Sequence, residues 1–172
     1  MSFTNKLSVL KIVEDTLVDG PGFRTSIYAA GCIHECVGCH NPASWVHRNG
    51  TFMEIDRILE VVKNNFLAQV SFSGGDPLCQ PQAFTTLAKK IKQETGKNIW
   101  CYTGFTFEKI KRTPTLEPIL YYLDVLVDGR FIEKKKDTTL LFRGSSNQRI
   151  IEVQKSLRQG RVILWESALP NL

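Results

Sequence analysis

The stretch FRTSIYAAGCIHECVGCHNP, residues 23–42, runs a strand-like segment straight into three cysteines spaced C-x3-C-x2-C. Residues 23–30 carry the branched and aromatic side chains of a β-strand. Cys32, Cys36 and Cys39 follow within eight residues, and no fourth cysteine stands near them in sequence. A closed structural zinc site takes four protein ligands, and a ferredoxin-type cluster takes four cysteines. A triplet therefore implies either a borrowed fourth ligand or a coordination position left open.

Downstream, the apolar period keeps changing. Phe52, Ile55, Ile58, Leu59, Val62 and Phe66 recur at helical spacing, and QVSFS at 69–73 predicts a second strand broken by Gly74-Gly75-Asp76-Pro77. Phe84, Leu87, Ala88 and Ile91 mark a helix that should stop near Gly96. NIWCYT at 98–103 predicts a third strand, ended by Gly104. A helical stretch around Leu116, Ile119, Leu120 and Leu123 leads to a fourth strand, DVLVDG at 124–129. Strands alternating with helices predict an α/β fold of parallel β-α units. A complete eight-unit barrel needs about 250 residues and at least about 200, so a chain of 172 supplies only part of one. The expectation is a truncated TIM-type β/α barrel in a single domain over residues 1–172. The cysteine loop, the GGDP turn, the Thr103-Gly104 turn and the Asp128-Gly129 turn all follow predicted strand ends, the edge where such folds build their sites.

Composition narrows the class. The N-terminal residues carry Lys6, Lys11, Glu14 and Asp15 with no uninterrupted apolar run, which excludes a signal peptide or membrane anchor there and implies the cytoplasm. Five cysteines with three crowded together suit metal or redox chemistry in a reducing compartment better than a disulfide framework. Cys79 and Cys101 stand alone in or beside apolar runs and read as packing residues. The net charge of +5 rests partly on EKIKR at 108–112 and EKKKD at 133–137, runs too short for a nucleic-acid reader; a mild positive face could instead steer an acidic protein partner.

His34 and His40 make a Cys3His zinc site, and so a non-catalytic interaction module, chemically available. The competing reading is a 4Fe-4S cluster held by Cys32, Cys36 and Cys39 with one iron open. With the strand before the triplet and GGDP one β-α unit later, the chain resembles the radical S-adenosylmethionine superfamily. DGPGFRT at 19–25, GCIHECVGCHNPASW at 31–45, SFSGGDPL at 71–78, WCYTGFTFE at 100–108, VLVDGRF at 125–131 and RGSSNQR at 143–149 are together similar to the glycyl-radical-activating family that serves anaerobic ribonucleotide reductase.

That resemblance implies an oxidoreductase in which a 4Fe-4S cluster on Cys32, Cys36 and Cys39 cleaves S-adenosylmethionine. The resulting 5'-deoxyadenosyl radical takes a Cα hydrogen from a glycine of the reductase large subunit, and a flavodoxin-like or other low-potential donor supplies the electron. It implies cofactor contacts at Gly38, Cys39, His40, Gly74, Gly75 and Asp76, with no further catalytic side chain; the composition, for its part, points to no nucleic-acid or membrane partner. Gly74 and Gly75 would let backbone approach the methionyl group, and Gly38 leaves adenine to backbone and His40. Asp76 reads equally as an ammonium acceptor or a helix cap. Asp19–Gly22 reads as a turn. RGSSNQR reads either as a polar loop or as part of the cofactor or partner site. A radical enzyme for a small molecule such as a deazapurine precursor is the alternative within the same chemistry.

Overall fold

The computed structural model describes residues 5–166. Seven strands form one open mixed sheet: β1 (Lys6–Thr16), β2 (Arg24–Ala29), β3 (Thr51–Glu54), β4 (Gln69–Gly74), β5 (Ile99–Tyr102), β6 (Val125–Asp128) and β7 (Arg149–Glu152), in the order β3-β1-β2-β4-β5-β6-β7. The four strands predicted from periodicity, β2, β4, β5 and β6, are mutually parallel. Each flank adds antiparallel pairing, β1 with β2 and β3, and β7 with β6. The sheet is α/β as expected but not closed.

One face of the sheet is covered by α1 (Ile55–Asn64) and α2 (Pro81–Thr95). Ile55, Ile58, Leu59 and Val62 recur at i, i+3, i+4 and i+7 and are all buried against Val70, Phe72, Phe84 and Leu87. The predicted helix begins three residues later than Phe52, which sits in β3, and ends before Phe66, whose side chain is 81% exposed. Gly96 ends α2 in the left-handed region, φ 66°, with its N–H donating to Lys92 O. The stretch around Leu116–Leu123 forms only a short 3-10 turn at Glu117–Tyr121, entered from the Thr113–Leu116 turn and with Pro118 in its first turn, where the missing N–H is tolerated. Short helices α3 (Phe107–Lys111) and α4 (Val153–Gln159) complete this layer.

The opposite face is only half apolar. Trp100, Val125, Val127 and Ile150 pack there with Phe142 and Trp165, while Tyr28, Ser73 and Tyr102 leave a polar floor open toward the C-terminal strand edge. Arg24 is buried beneath that floor, its guanidinium 5.4 Å from the centre of the Trp100 ring. No helix among the described residues is long and apolar enough to cross a membrane.

Candidate functional site

The cysteine loop leaves the end of β2 and is held by backbone. Gly31 N–H donates to Ser44 O at 2.7 Å, Cys32 N–H to Trp45 O at 3.1 Å, and Cys39 N–H to Cys36 O at 3.0 Å. From the neighbouring strand, Gly75 N–H donates to Ala29 O and Asp76 N–H to Gly31 O, both at 2.8 Å, so the GGDP turn and the cysteine loop are stitched into one unit. Glycine is required on the GGDP side: a Cβ on Gly74, at φ +100°, would lie 2.5 Å from Ala29 N, and one on Gly75 would collide with the carbonyl oxygens of Gly31 and Ser44. The close approach these glycines permit here is to protein backbone.

Cys32, Cys36 and Cys39 share the wall of a cavity of about 340 Å³ with His40, Gly74, Gly75 and Asp76. All three thiols are free and partly buried. Among the described residues no three His, Cys, Asp or Glu side chains converge closely enough to hold a single metal ion. Burial pushes the Cys32 thiol up, opposed by the N–H groups of His34 and Glu35. Three soft, unbridged donors on a cavity wall fit an iron–sulfur cluster, which takes thiolates. Gly38 is outside this wall: it adopts φ +75° beneath Glu133, whose carboxylate would lie 2.8 Å from an added Cβ.

Asp76 is the hub. Its Oδ1 accepts from Leu78 N–H at 2.8 Å, capping the Pro77–Cys79 turn. Its Oδ2 accepts from Thr103 Oγ1 at 2.9 Å and Gly104 N–H at 2.9 Å, and His34 Nε2 lies 2.8 Å away. A carboxylate oxygen accepts, so that histidine nitrogen carries the proton. The cap reading of Asp76 holds, and the same carboxylate ties β4 to β5. His34 packs edge-on to Phe105, with ring centroids 4.6 Å apart. Periodicity gave no hint of this cluster, because Thr103 and Gly104 come from another β-α unit.

Sequence reading also gave no role to the cavity floor. Ser71 Oγ donates to Asp19 O at 2.6 Å, and Arg24 donates to Ser71 Oγ at 2.7 Å, Val70 O at 2.6 Å and Pro21 O at 3.2 Å. The Asp19–Gly22 turn is thus fastened from below, and Tyr28 donates its hydroxyl to the Asp19 carboxylate within the cavity. Arg24 has no carboxylate bonded to it, and burial lowers its pKa to about 10. Burial also raises Tyr28, with Asp19 adding to the shift, and raises Tyr102, whose hydroxyl is buried without a partner. Cys101 lies in the core and Cys79 is half-buried, its thiol pushed up to about 12 chiefly by burial.

Residues 18–151 match the family model described as a 4Fe-4S single cluster domain. Relatives named anaerobic ribonucleoside-triphosphate reductase-activating protein align over most of both chains. That of Vibrio cholerae is 38% identical over 141 residues, covering 77% of this chain and 89% of its own. That of Enterobacteria phage T4 is 36% identical over 140 residues, covering 77% and 86%. The chain belongs to this activating-protein family. The Escherichia coli K12 member, 36% identical over 141 residues, matches 77% of this chain and 90% of its own. The resemblance drawn from the motif blocks is thereby established for the family, and the matched span contains the cysteine loop, the GGDP turn and the strand-end turns that build the cavity.

Proposed function

We propose that this protein is the activating enzyme of an anaerobic ribonucleotide reductase, with a 4Fe-4S cluster on Cys32, Cys36 and Cys39 and S-adenosylmethionine beside it in the cavity. The observation carrying this reading is three free thiols on the wall of one cavity at the C-terminal strand edge, in a chain of the activating-protein family. When bound, the cluster and S-adenosylmethionine together supply one-electron cleavage to a 5'-deoxyadenosyl radical, directed at a glycine of the reductase. The four parallel strands read as part of a β/α barrel, residues 1–172 as one domain, and the cytoplasm as the setting that keeps the thiols reduced.

The chain's own residues bind, orient and shield. Cys32, Cys36 and Cys39 offer three ligands and no fourth. Gly74 and Gly75 hold the loop against β2, so the cavity wall keeps its shape without a side chain entering it. Asp76 fixes Thr103, Gly104 and His34 at the cavity wall, and His40 and Phe131, ring centroids 5.3 Å apart, line the same cavity. The open sheet leaves the cavity accessible to a loop of a large partner. Tyr28, Ser73 and Tyr102 line the floor, with the Tyr28 hydroxyl bonded to Asp19 and the Tyr102 hydroxyl buried without a partner.

Anaerobic reconstitution tests this directly. Iron and sulfide should be taken up at about four each per chain, and dithionite with S-adenosylmethionine should yield 5'-deoxyadenosine. Zinc uptake without iron, or a loaded cluster that cleaves nothing, would overturn the assignment.

A further inference from the structure

His34 stands midway between Cys32 and Cys36, and it is held at both ends. Its Nε2–H donates to Asp76 Oδ2 at 2.8 Å, and its carbonyl accepts from the Arg130 guanidinium. The imidazole lies edge-on to Phe105 and close against Gly104: a Cβ on Gly104 would sit 2.3 Å from His34 Cδ2 and 2.6 Å from Nε2. Side-chain exposure is 10% for His34 and 2% for Asp76, so water competes little for their bond. Glu35, next along the chain, adopts φ 45°, a left-handed conformation that a residue with a Cβ keeps only where its surroundings hold it there. The dependence within the cluster is one-sided. Without His34, Asp76 would still accept from Leu78 N–H, Thr103 Oγ1 and Gly104 N–H, so the tie between β4 and β5 would survive. His34 Nε2 has Asp76 alone among the described residues.

We infer that His34 is a positioning residue for the proposed cluster: its bond to Asp76, and the space left by the missing side chain of Gly104, fix the Cys32–Cys36 arc against the turns that follow β4 and β5. The inference rests on the proposed reading of the three thiols as cluster ligands. His34 acts through the thiols on either side of it in sequence. A hydrogen bond that orients a ligand from outside the coordination sphere is commonly as important as the ligand's own chemistry, and losing one costs about 10–100-fold in metal affinity or activity. The same arrangement explains why position 104 is a glycine although its backbone does not require one: the added methyl group would meet the imidazole, which has to leave Asp76 to make room.

The test uses anaerobically reconstituted protein. It reads the rate of iron release to a chelator, the electron paramagnetic resonance spectrum of the reduced cluster with S-adenosylmethionine, and the denaturant midpoint of the cluster-free chain. His34→Ala should release iron about tenfold faster and alter the spectrum. His34→Gln, whose amide Nε2 also donates, should bring both back toward wild type. Gly104→Ala should reproduce His34→Ala, because the methyl group displaces the ring. Once the ring is gone that methyl group has nothing to displace, so the double variant should be no worse than His34→Ala alone. Wild-type iron release and spectrum in His34→Ala would overturn the proposal, and so would a glutamine variant no better than alanine. Additive losses in the double variant would overturn it by giving Gly104 a separate role. A lowered denaturant midpoint with unaltered iron release and spectrum would make His34 a packing residue only. Wild-type protein that assembles no iron–sulfur cluster, a result seen before any variant is compared, would remove the reading of the thiols and this proposal with it.

Discussion

The loop after β2 and the loop before β7 stand at the same strand edge, separated by β4, β5 and β6, and both reach the cavity. They differ in what their side chains have left to offer. In the loop before β7, Gln148 Oε1 accepts from Gly144 and Ser145 N–H, and its Nε2 donates to Gly129 O. Arg143 donates to Gln148 O, Asn147 to Arg130 O, and Arg149 binds both Glu108 and the buried Asp128. That polar stretch folds itself. In the loop after β2 the backbone is as well fastened, but three thiols, none of them in a disulfide, are left facing a cavity. Abundant polar side chains therefore marked a structural latch, and a few soft donors marked the candidate site.

Substitutions on each side should separate the two. The largest effect belongs to the thiols: Cys32→Ala, Cys36→Ala or Cys39→Ala should abolish iron retention and 5'-deoxyadenosine formation while leaving the far-ultraviolet circular dichroism intact. Cys79→Ala and Cys101→Ala should retain both activities. A triplet variant that still cleaves the cofactor would erase the contrast.

Gly75 joins fold and site, so its variants should lose both. Gly75→Ala forces a methyl group onto the carbonyl oxygens of Gly31 and Ser44, and overpacking of this kind costs about 1–3 kcal/mol. Thermal melting and iron content should fall together. Lost cofactor affinity with unchanged melting would instead assign Gly75 to ligand contact alone.

On the latch side, Arg149→Gln should cost stability of roughly 1–3 kcal/mol, since it leaves the buried Asp128 carboxylate short of a donor. Arg149 holds the Glu108 carboxyl below its ordinary range. That contribution is present above the unfolded carboxyl's range and disappears as pH falls through the lowered folded value. Denaturant midpoints of wild type and variant should accordingly differ most near neutrality and converge in acid. Reconstituted activity per folded molecule should be unaffected, and a selective loss of catalysis would move this loop into the site.

The smallest change is expected at His40, exposed and stacked only loosely on Phe131. His40→Ala should keep the cluster and weaken S-adenosylmethionine binding by about threefold, in line with ~0.7 kcal/mol for one aromatic contact. Equilibrium titration of the reduced-free holoenzyme checks it, and no change would place His40 outside the cofactor's reach.

The parallel half of the fold was legible because each of its strands pairs on both sides and carries a run of apolar residues; β2, β4, β5 and β6 lie where periodicity placed them to within two residues at either end. The antiparallel flanks were not. β1 loses its alternation at a bulge between Val9 and Lys11, and β3 is four residues long with Thr51, Phe52 and Glu54 exposed. β7 offers only Ile150 and Ile151 within a polar stretch. At the site, spacing alone singled out Cys32, Cys36 and Cys39. The Asp76 hub was only half visible: its cap is local, whereas its bonds to Thr103 and Gly104 span 27 and 28 residues and arise from strand pairing.

Recording the electron paramagnetic resonance spectrum of the cognate reductase after anaerobic mixing with reduced, reconstituted protein and S-adenosylmethionine tests the proposed activity most directly. A glycyl doublet is expected, and it should vanish when the reductase's C-terminal glycine is replaced by alanine. No radical on the reductase, alongside brisk cofactor cleavage and turnover of a small molecule, would contradict an activating role.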